Sequence, residues 1–348
     1  MKRIAAILLC LAVFLTGCAD DAAATDALST GQIYLYGESH GAEAILNREL
    51  ELWRGHYNNG LRHLFVELSH FTAAFLNLWM QADDDAILDA LFSDWEGTSG
   101  HTPYALAFYQ AIKRDCPETV FHGTDVGHQY DTTGARYLAY LAENDLTDSP
   151  AYALAEENIA QGIAYYKNKG NVYRENTMSE NFIRAFDALN GASIMGIYGA
   201  AHTALDGMDY QTQSVPCMAN QLKARYGETV HTEDLSYLAK ITTPERMDVI
   251  TVAGKDYDAA YFGEYDLIGF QNFKSRAFWR LENAYDDCNE KPTTGDVLPT
   301  NNYPMAIETG QVFVIDYTMT DGTVMRLYYR ADGDMWNGMP STVGFTAE

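Results

Sequence analysis

The chain has 348 residues, 47% of them hydrophobic and 13% aromatic, enough apolar material to bury one large core or two modest ones and too much for a disordered chain. Its 48 acidic residues against 23 basic ones leave a formal charge of −25. Such a surface repels phosphate backbones and anionic lipid headgroups, which argues against nucleic acid as a partner and reads chiefly as a solubility device.

In chain order, the first segment is MKRIAAILLCLAVFLTGC, residues 1–18, where Lys2 and Arg3 precede an apolar run too short to remain as a spanning helix. This is an export signal. Its end, Leu15-Thr16-Gly17-Cys18, resembles the bacterial lipobox, which implies that Cys18 is lipidated and becomes the mature N-terminus. Cys10 is then discarded with the signal. Residues 19–29 form a small polar tether, and the expected location is the bacterial cell envelope, with only the lipid inserted in a membrane.

From Ile33 to about Tyr226, short apolar runs alternate with longer segments of helical period. That alternation predicts successive βα units and a largely parallel sheet flanked by helices. The predicted strands are Ile33 to Gly37, Leu64 to Val66, Val120 to Gly123 and Ile194 to Gly199. Helices are predicted from Ala42 to about His56, Thr72 to Met80, Pro103 to Arg114, Gly134 to Glu143, Ala151 to about Asn168, and Glu175 to Leu189. Those after the third strand read as a helical insertion beside the sheet.

From about Met247 the texture changes to alternating residues and turn signals, and Asp321-Gly322 between two alternating runs predicts a hairpin. The expected organisation is an α/β domain over residues 30–246 and a β-rich C-terminal appendage over 247–348. Cys116, Cys217 and Cys288 lack zinc-knuckle spacing. An oxidising compartment permits one disulfide and one leftover thiol among them, with the pairing open.

Each predicted strand ends in chemically capable residues: Glu38 and His40, Glu67 and His70, Asp125 and His128, and finally His202. In an open parallel sheet the carboxyl ends of the strands share one rim, and ligands bind outside it. These residues, remote in sequence, are therefore expected to meet. Buried acids such as Glu67 need a cation, a metal or a donor network around them.

Gly37-Glu38-Ser39-His40, the strand-end Glu67 and Gly199-Ala200-Ala201-His202 resemble the paired Gly-x-x-His motifs of the superfamily that joins Tiki and TraB proteins, ChaN-like haem-binding lipoproteins and erythromycin esterases. Tyr173-Arg174-Glu175-Asn176, with Asn181 beyond, resembles that family's arginine-bearing helix start. The likeness covers Ile33 to Ala204. It implies a hydrolase acting on an ester, lactone or peptide bond, or alternatively a haem- or iron-binding lipoprotein without catalysis.

In the hydrolytic reading His40 is the base, Glu38 or Glu67 fixes its tautomer, His202 is the acid or positions water, and Arg174 steadies negative charge. Asp125, His128, His70 and Asn181 are further pocket candidates. A metal-assisted version places zinc or manganese on His40, Glu67 and His202. The haem alternative looks to Tyr34, Tyr36 and Tyr198 as candidate tyrosinate ligands.

Overall fold

The computed structural model describes residues 31–168, 170–267 and 272–347. The export signal with Cys10 and Cys18, the tether over 19–29 and residue 30 lie outside that set. No helix among the described residues is long and apolar enough to cross a membrane.

Five strands form the first sheet: β1 (Ile33–Glu38), β2 (His63–Ser69), β3 (Val120–Asp125), β4 (Ile194–Gly199) and β5 (Val230–Asp234), all parallel, in the order β3-β2-β4-β1-β5. Alternation along the strands sorts their side chains onto two faces. Ile33, Leu35, Phe65, Ile194 and Tyr198 belong to one buried cluster, whereas Tyr36, Leu64, Val66, Met195 and Ile197 belong to the other.

Helices cover both faces. Ile45, Leu46 and Trp53 of α1 (Glu43–Asn58), Phe71 to Trp79 of α2 (His70–Met80), Leu88 and Leu91 of α3 (Ala86–Asp94), and Phe108 and Ile112 of α4 (Pro103–Asp115) pack with the larger cluster. Thr102 caps α4 by accepting from the Ala105 N–H, with Pro103 at the first turn, so its start is set locally. After β3 a π-helical turn, Tyr130–Gly134, leads into α5 (Ala135–Glu143) and then α6 (Pro150–Asn168). Met178, Phe182 and Phe186 of α7 (Asn171–Asp187) and Met218 and Leu222 of α8 (Met218–Tyr226) close the other face.

β3 is an edge strand, and its outer backbone is satisfied by side chains rather than by another strand. Asn77 accepts from the Phe121 N–H at 2.8 Å and donates to its carbonyl at 2.9 Å, while Asn158 and Asn181 donate to the carbonyls of Asp125 and Thr124. A protected edge resists pairing with another chain.

The second sheet is antiparallel and begins at β6 (Arg246–Val252). It continues through β7 (Lys255–Asp266), β8 (Phe273–Leu281), β9 (Thr293–Pro299), β10 (Val312–Met319), β11 (Val324–Arg330), β12 (Met335–Trp336) and β13 (Met339–Phe345). The hairpin at Asp321-Gly322 forms as expected: Thr318 pairs with Val324, and Gly322 takes the left-handed φ of 87° that such a turn demands.

The disulfide expectation is corrected. Cys116, Cys217 and Cys288 are all free and buried. They sit apart: Cys116 in the core beneath α4, Cys288 in the second sheet's core, and Cys217 before α8 with its thiol donating to the Ala204 carbonyl.

Candidate functional site

The first sheet ends in a cavity of about 300 Å³ over the carboxyl tips of its strands, lined by Glu38, His40, Glu67, Asp125, His128 and Arg174 among others. β1 delivers Glu38, and the turn after it delivers His40. Gly37 is required here because a Cβ would lie 2.4 Å from Thr203 Oγ1 and 3.1 Å from Ala200 Cα, closing the space in which the turn after β4 packs.

Glu67 sits where the pairing of β2 with β3 slips between Val66 and Ser69. A bulge of this kind re-aims a side chain, and here it turns an acid at the end of a buried run into the site. Gly199, the last residue of β4, gives its N–H to Glu67 Oε2. A Cβ on Gly199 would stand 3.2 Å from both Glu67 Oε2 and His40 Nε2. The absent side chain is what lets these two groups face each other.

His40 is held at Nδ1 by Glu38, 2.8 Å away, which leaves Nε2 facing Glu67 Oε1 at 3.8 Å. Its ring is 42% exposed at the cavity rim, while Glu67 is 6% exposed. Burial pushes the imidazole down. The charge of Glu67 and the hydrogen bond to Glu38 outweigh that push and bring it up to about 9. In reverse, burial raises Glu67, but His202, Arg174 and His40 overcome it and hold the carboxyl at about 2.

Arg174 comes from the first turns of α7 and threads between two acids. It donates through Nη2 to Glu67 and to Asp125, and through Nε to Asp125 at 3.0 Å. Burial would weaken its charge, but Asp125 and Glu67 raise its affinity for the proton well above the ordinary arginine range. Asp125 is fully buried; burial disfavours its charge, and Arg174 and His128 reverse this and hold it far below the usual carboxylate range. His128 bridges Asp125, at 3.0 Å, to the Tyr166 hydroxyl, at 2.6 Å.

His202 occupies a different rank. Its Nδ1 pairs with Glu175, its Nε2 stands 3.6 Å from Glu67 Oε1 and 3.3 Å from Arg174 Nη1, and its side chain is 4% exposed. Burial lowers it, while Glu67 and Glu175 raise it more. It is not on the cavity wall. The expected acid or water-positioning histidine thus stands behind Glu67 and Arg174 and braces them.

His70 and Asn181 are placed elsewhere. His70 opens α2, and both residues line a second cavity beside β3; Asn181 is spent on Thr124, Gln161 and Arg184. The reading from sequence missed Glu175 as the partner of His202, although it adjoins Arg174, and missed Tyr166, which no motif marks.

The described residues do not fit the expected divalent ion. Both oxygens of Glu67 are engaged, one by Arg174 and one by the Gly199 N–H, and the guanidinium stands against His202 Nε2 where a metal would draw its ligand. No group of three or more metal-ligating side chains is arranged for one among the described residues. The three candidate tyrosines also point away from this chemistry. Tyr198 is fully buried and shares a hydrogen bond with Thr124, Tyr36 bonds to His56, and Tyr34 stacks against His56 and His231.

No protein-family model matches the chain, and no curated protein matches it. Solved structures of similar fold include a mutant of the erythromycin esterase EreC in its open conformation, at TM-score 0.45 and 12% identity over 73% of this chain and 84% of that one. A protein from Bacillus cereus gives TM-score 0.43 and 11% identity over 73% and 78%. A succinoglycan biosynthesis protein gives TM-score 0.43 and 14% identity over 58% and 65%.

Proposed function

We propose that the chain is a hydrolase of ester-type bonds that uses a histidine base and no metal. The observation that carries this reading is His40, an imidazole bracketed by Glu38 and Glu67 on the wall of a cavity that also presents the Arg174 guanidinium. Glu38 holds Nδ1, so Nε2 is the nitrogen that can take a proton.

In the proposed reaction a water bound at His40 Nε2 gives up its proton as its oxygen attacks the carbonyl carbon. The negative charge that gathers on the carbonyl oxygen is steadied by Arg174, a fixed cation in a site of low dielectric. When the tetrahedral species collapses the bond to the leaving oxygen breaks, and His40 returns the proton to that oxygen. Glu67 and Asp125 keep Arg174 in place, and the Glu175–His202 pair keeps Glu67 in place.

A base must be neutral to act. Because His40 holds its proton up to about 9, kcat/KM for a p-nitrophenyl ester rises roughly tenfold per pH unit below that value and then levels. His40→Ala serves as the blank for spontaneous hydrolysis, and prior treatment with a strong chelator leaves the rate unchanged. A flat profile through the neutral range, or a rate abolished by the chelator and restored by zinc or manganese, overturns the reading. We further propose that the chain works in the cell envelope, anchored through a lipid on Cys18. Loss of membrane association in Cys18→Ala tests this.

A further inference from the structure

The wall of the cavity formed by α1 and α4 contains an acid the proposed chemistry does not use. Glu49 lies one turn from Leu46 on α1, is 0% exposed, and neither carboxyl oxygen has a hydrogen-bond partner. The same cavity is also lined by Leu46, Val66, Trp95, Phe108, Tyr109 and Ile197. Among the described residues it forms no ion pair, and the charge it feels is that of Glu38, of the same sign. Burial and Glu38 together push its carboxyl well above the ordinary range, which favours the protonated, neutral form.

Such a residue is costly. A carboxyl taken from water without a compensating bond destabilises the fold, and methionine would suit the same helix with no polar group to bury. Nothing in the packing asks for the acid, so its use lies in the cavity. Two further features narrow what it receives. Trp95 and Tyr109, on the same cavity wall, stand with ring centroids 5.6 Å apart, and the indole N–H is itself buried and unpartnered. Tyr109 is raised first by burial and then by Glu38 and Glu49, so its hydroxyl keeps its proton.

We propose that this wall is a recognition subsite for an amine borne on an apolar body: the neutral amine takes the Glu49 proton as it binds, and the ammonium–carboxylate pair so formed shares the wall with the rings of Trp95 and Tyr109. Aromatic faces attract a cation through their quadrupole, and a desolvated carboxylate completes the charge it lacks. The unpartnered indole N–H adds a donor for a neighbouring hydroxyl or carbonyl. The assignment rests on the hydrolytic reading of the same cavity, for it names which esters that site would prefer.

Binding separates the two ideas, because it requires no turnover. Calorimetric titration of the purified chain at neutral pH compares n-hexylamine with 1-hexanol, two probes of equal apolar length. The amine is expected to bind about tenfold more tightly, and Glu49→Gln and Glu49→Met each bring the two to near equality. Glu49→Met removes the buried unpartnered polar group and is expected to melt at or above the parent temperature, while Glu49→Gln keeps a buried polar group of the same shape and removes only the proton exchange. Equal binding of the two probes by the parent chain overturns the subsite, and so does an amine preference that survives in both variants. A retained amine preference in a chain that hydrolyses no ester would instead strike only the proposed reaction.

Discussion

Two cavities of similar volume, 300 and 320 Å³, adjoin the same parallel sheet, and both present histidines. Their chemistry is opposite. At the strand tips burial depresses His40, yet Glu67 and Glu38 raise it to about 9. Beside β3, burial depresses His122 and the neighbouring His63 and His70 add to it, bringing the ring down to about 3. His63 Nδ1 and His122 Nε2 share one hydrogen bond at 3.0 Å, and His122 stacks on Phe65. A histidine beside this sheet is thus chemically uncommitted. The acids that other segments bring to it decide whether it carries charge.

The sharpest break of this comparison is catalytic. His40→Ala is expected to lower kcat/KM by about a hundredfold or more, whereas His122→Ala changes it by no more than about threefold. Equal losses would erase the distinction. Next comes stability. Arg174→Met leaves Glu67 and Asp125 buried without their cation, and chemical denaturation is expected to show a loss of about 3 to 5 kcal/mol. A loss below about 1 kcal/mol would mean that the charges are not coupled as the geometry has them.

Proton titration followed by NMR on the imidazole Cε1–H resonances tests the electrostatic contrast directly, with His40 expected near 9 and His122 near 3. The linked stabilities run in opposite directions. His40 is raised above its ordinary 6.5, so its contribution is complete below that value and is lost as pH rises through about 9. His122 is lowered, so the unfolded chain gains a proton first and stability falls as pH drops from 6.5 towards about 3. Midpoints for both rings near 6.5 would contradict both assignments. The smallest effect belongs to Gly199→Ala, where a methyl crowding Glu67 and His40 at 3.2 Å is expected to cost about 1 kcal/mol of stability and roughly tenfold in kcat/KM. Full activity in that variant would show that the Glu67–His40 spacing is not critical.

Much of this was legible in order along the chain. The runs IYLYG, VFHG and IMGIYG announce strands through apolar content and closing glycines, and the observed strands start where the reading places them and extend one or two residues further at Glu38 and Asp125. β5, with the sequence VHTED, escaped because only one of its five residues is buried and no alternation marks it. α3 escaped although Ile87, Leu88 and Leu91 carry a helical period, for it is short and lies among Asp, Ser and Gly. His70 was read as a site residue by its position after Glu67. The slip in β2 and the start of α2 turn its ring towards the edge of the sheet instead.

The sequence by itself determined the parallel strands, their polar tips and the alternating hairpins of the second sheet, because these follow from local period and turn chemistry. Only the tertiary structure decided that Glu175 would brace His202, that Glu49 would be left without a partner, and that one histidine cavity would be charged and the other neutral. Charge state depends on desolvation and on acids within a few ångströms, and Glu67 of β2 and Glu175 of α7 reach His40 and His202 from segments distant along the chain.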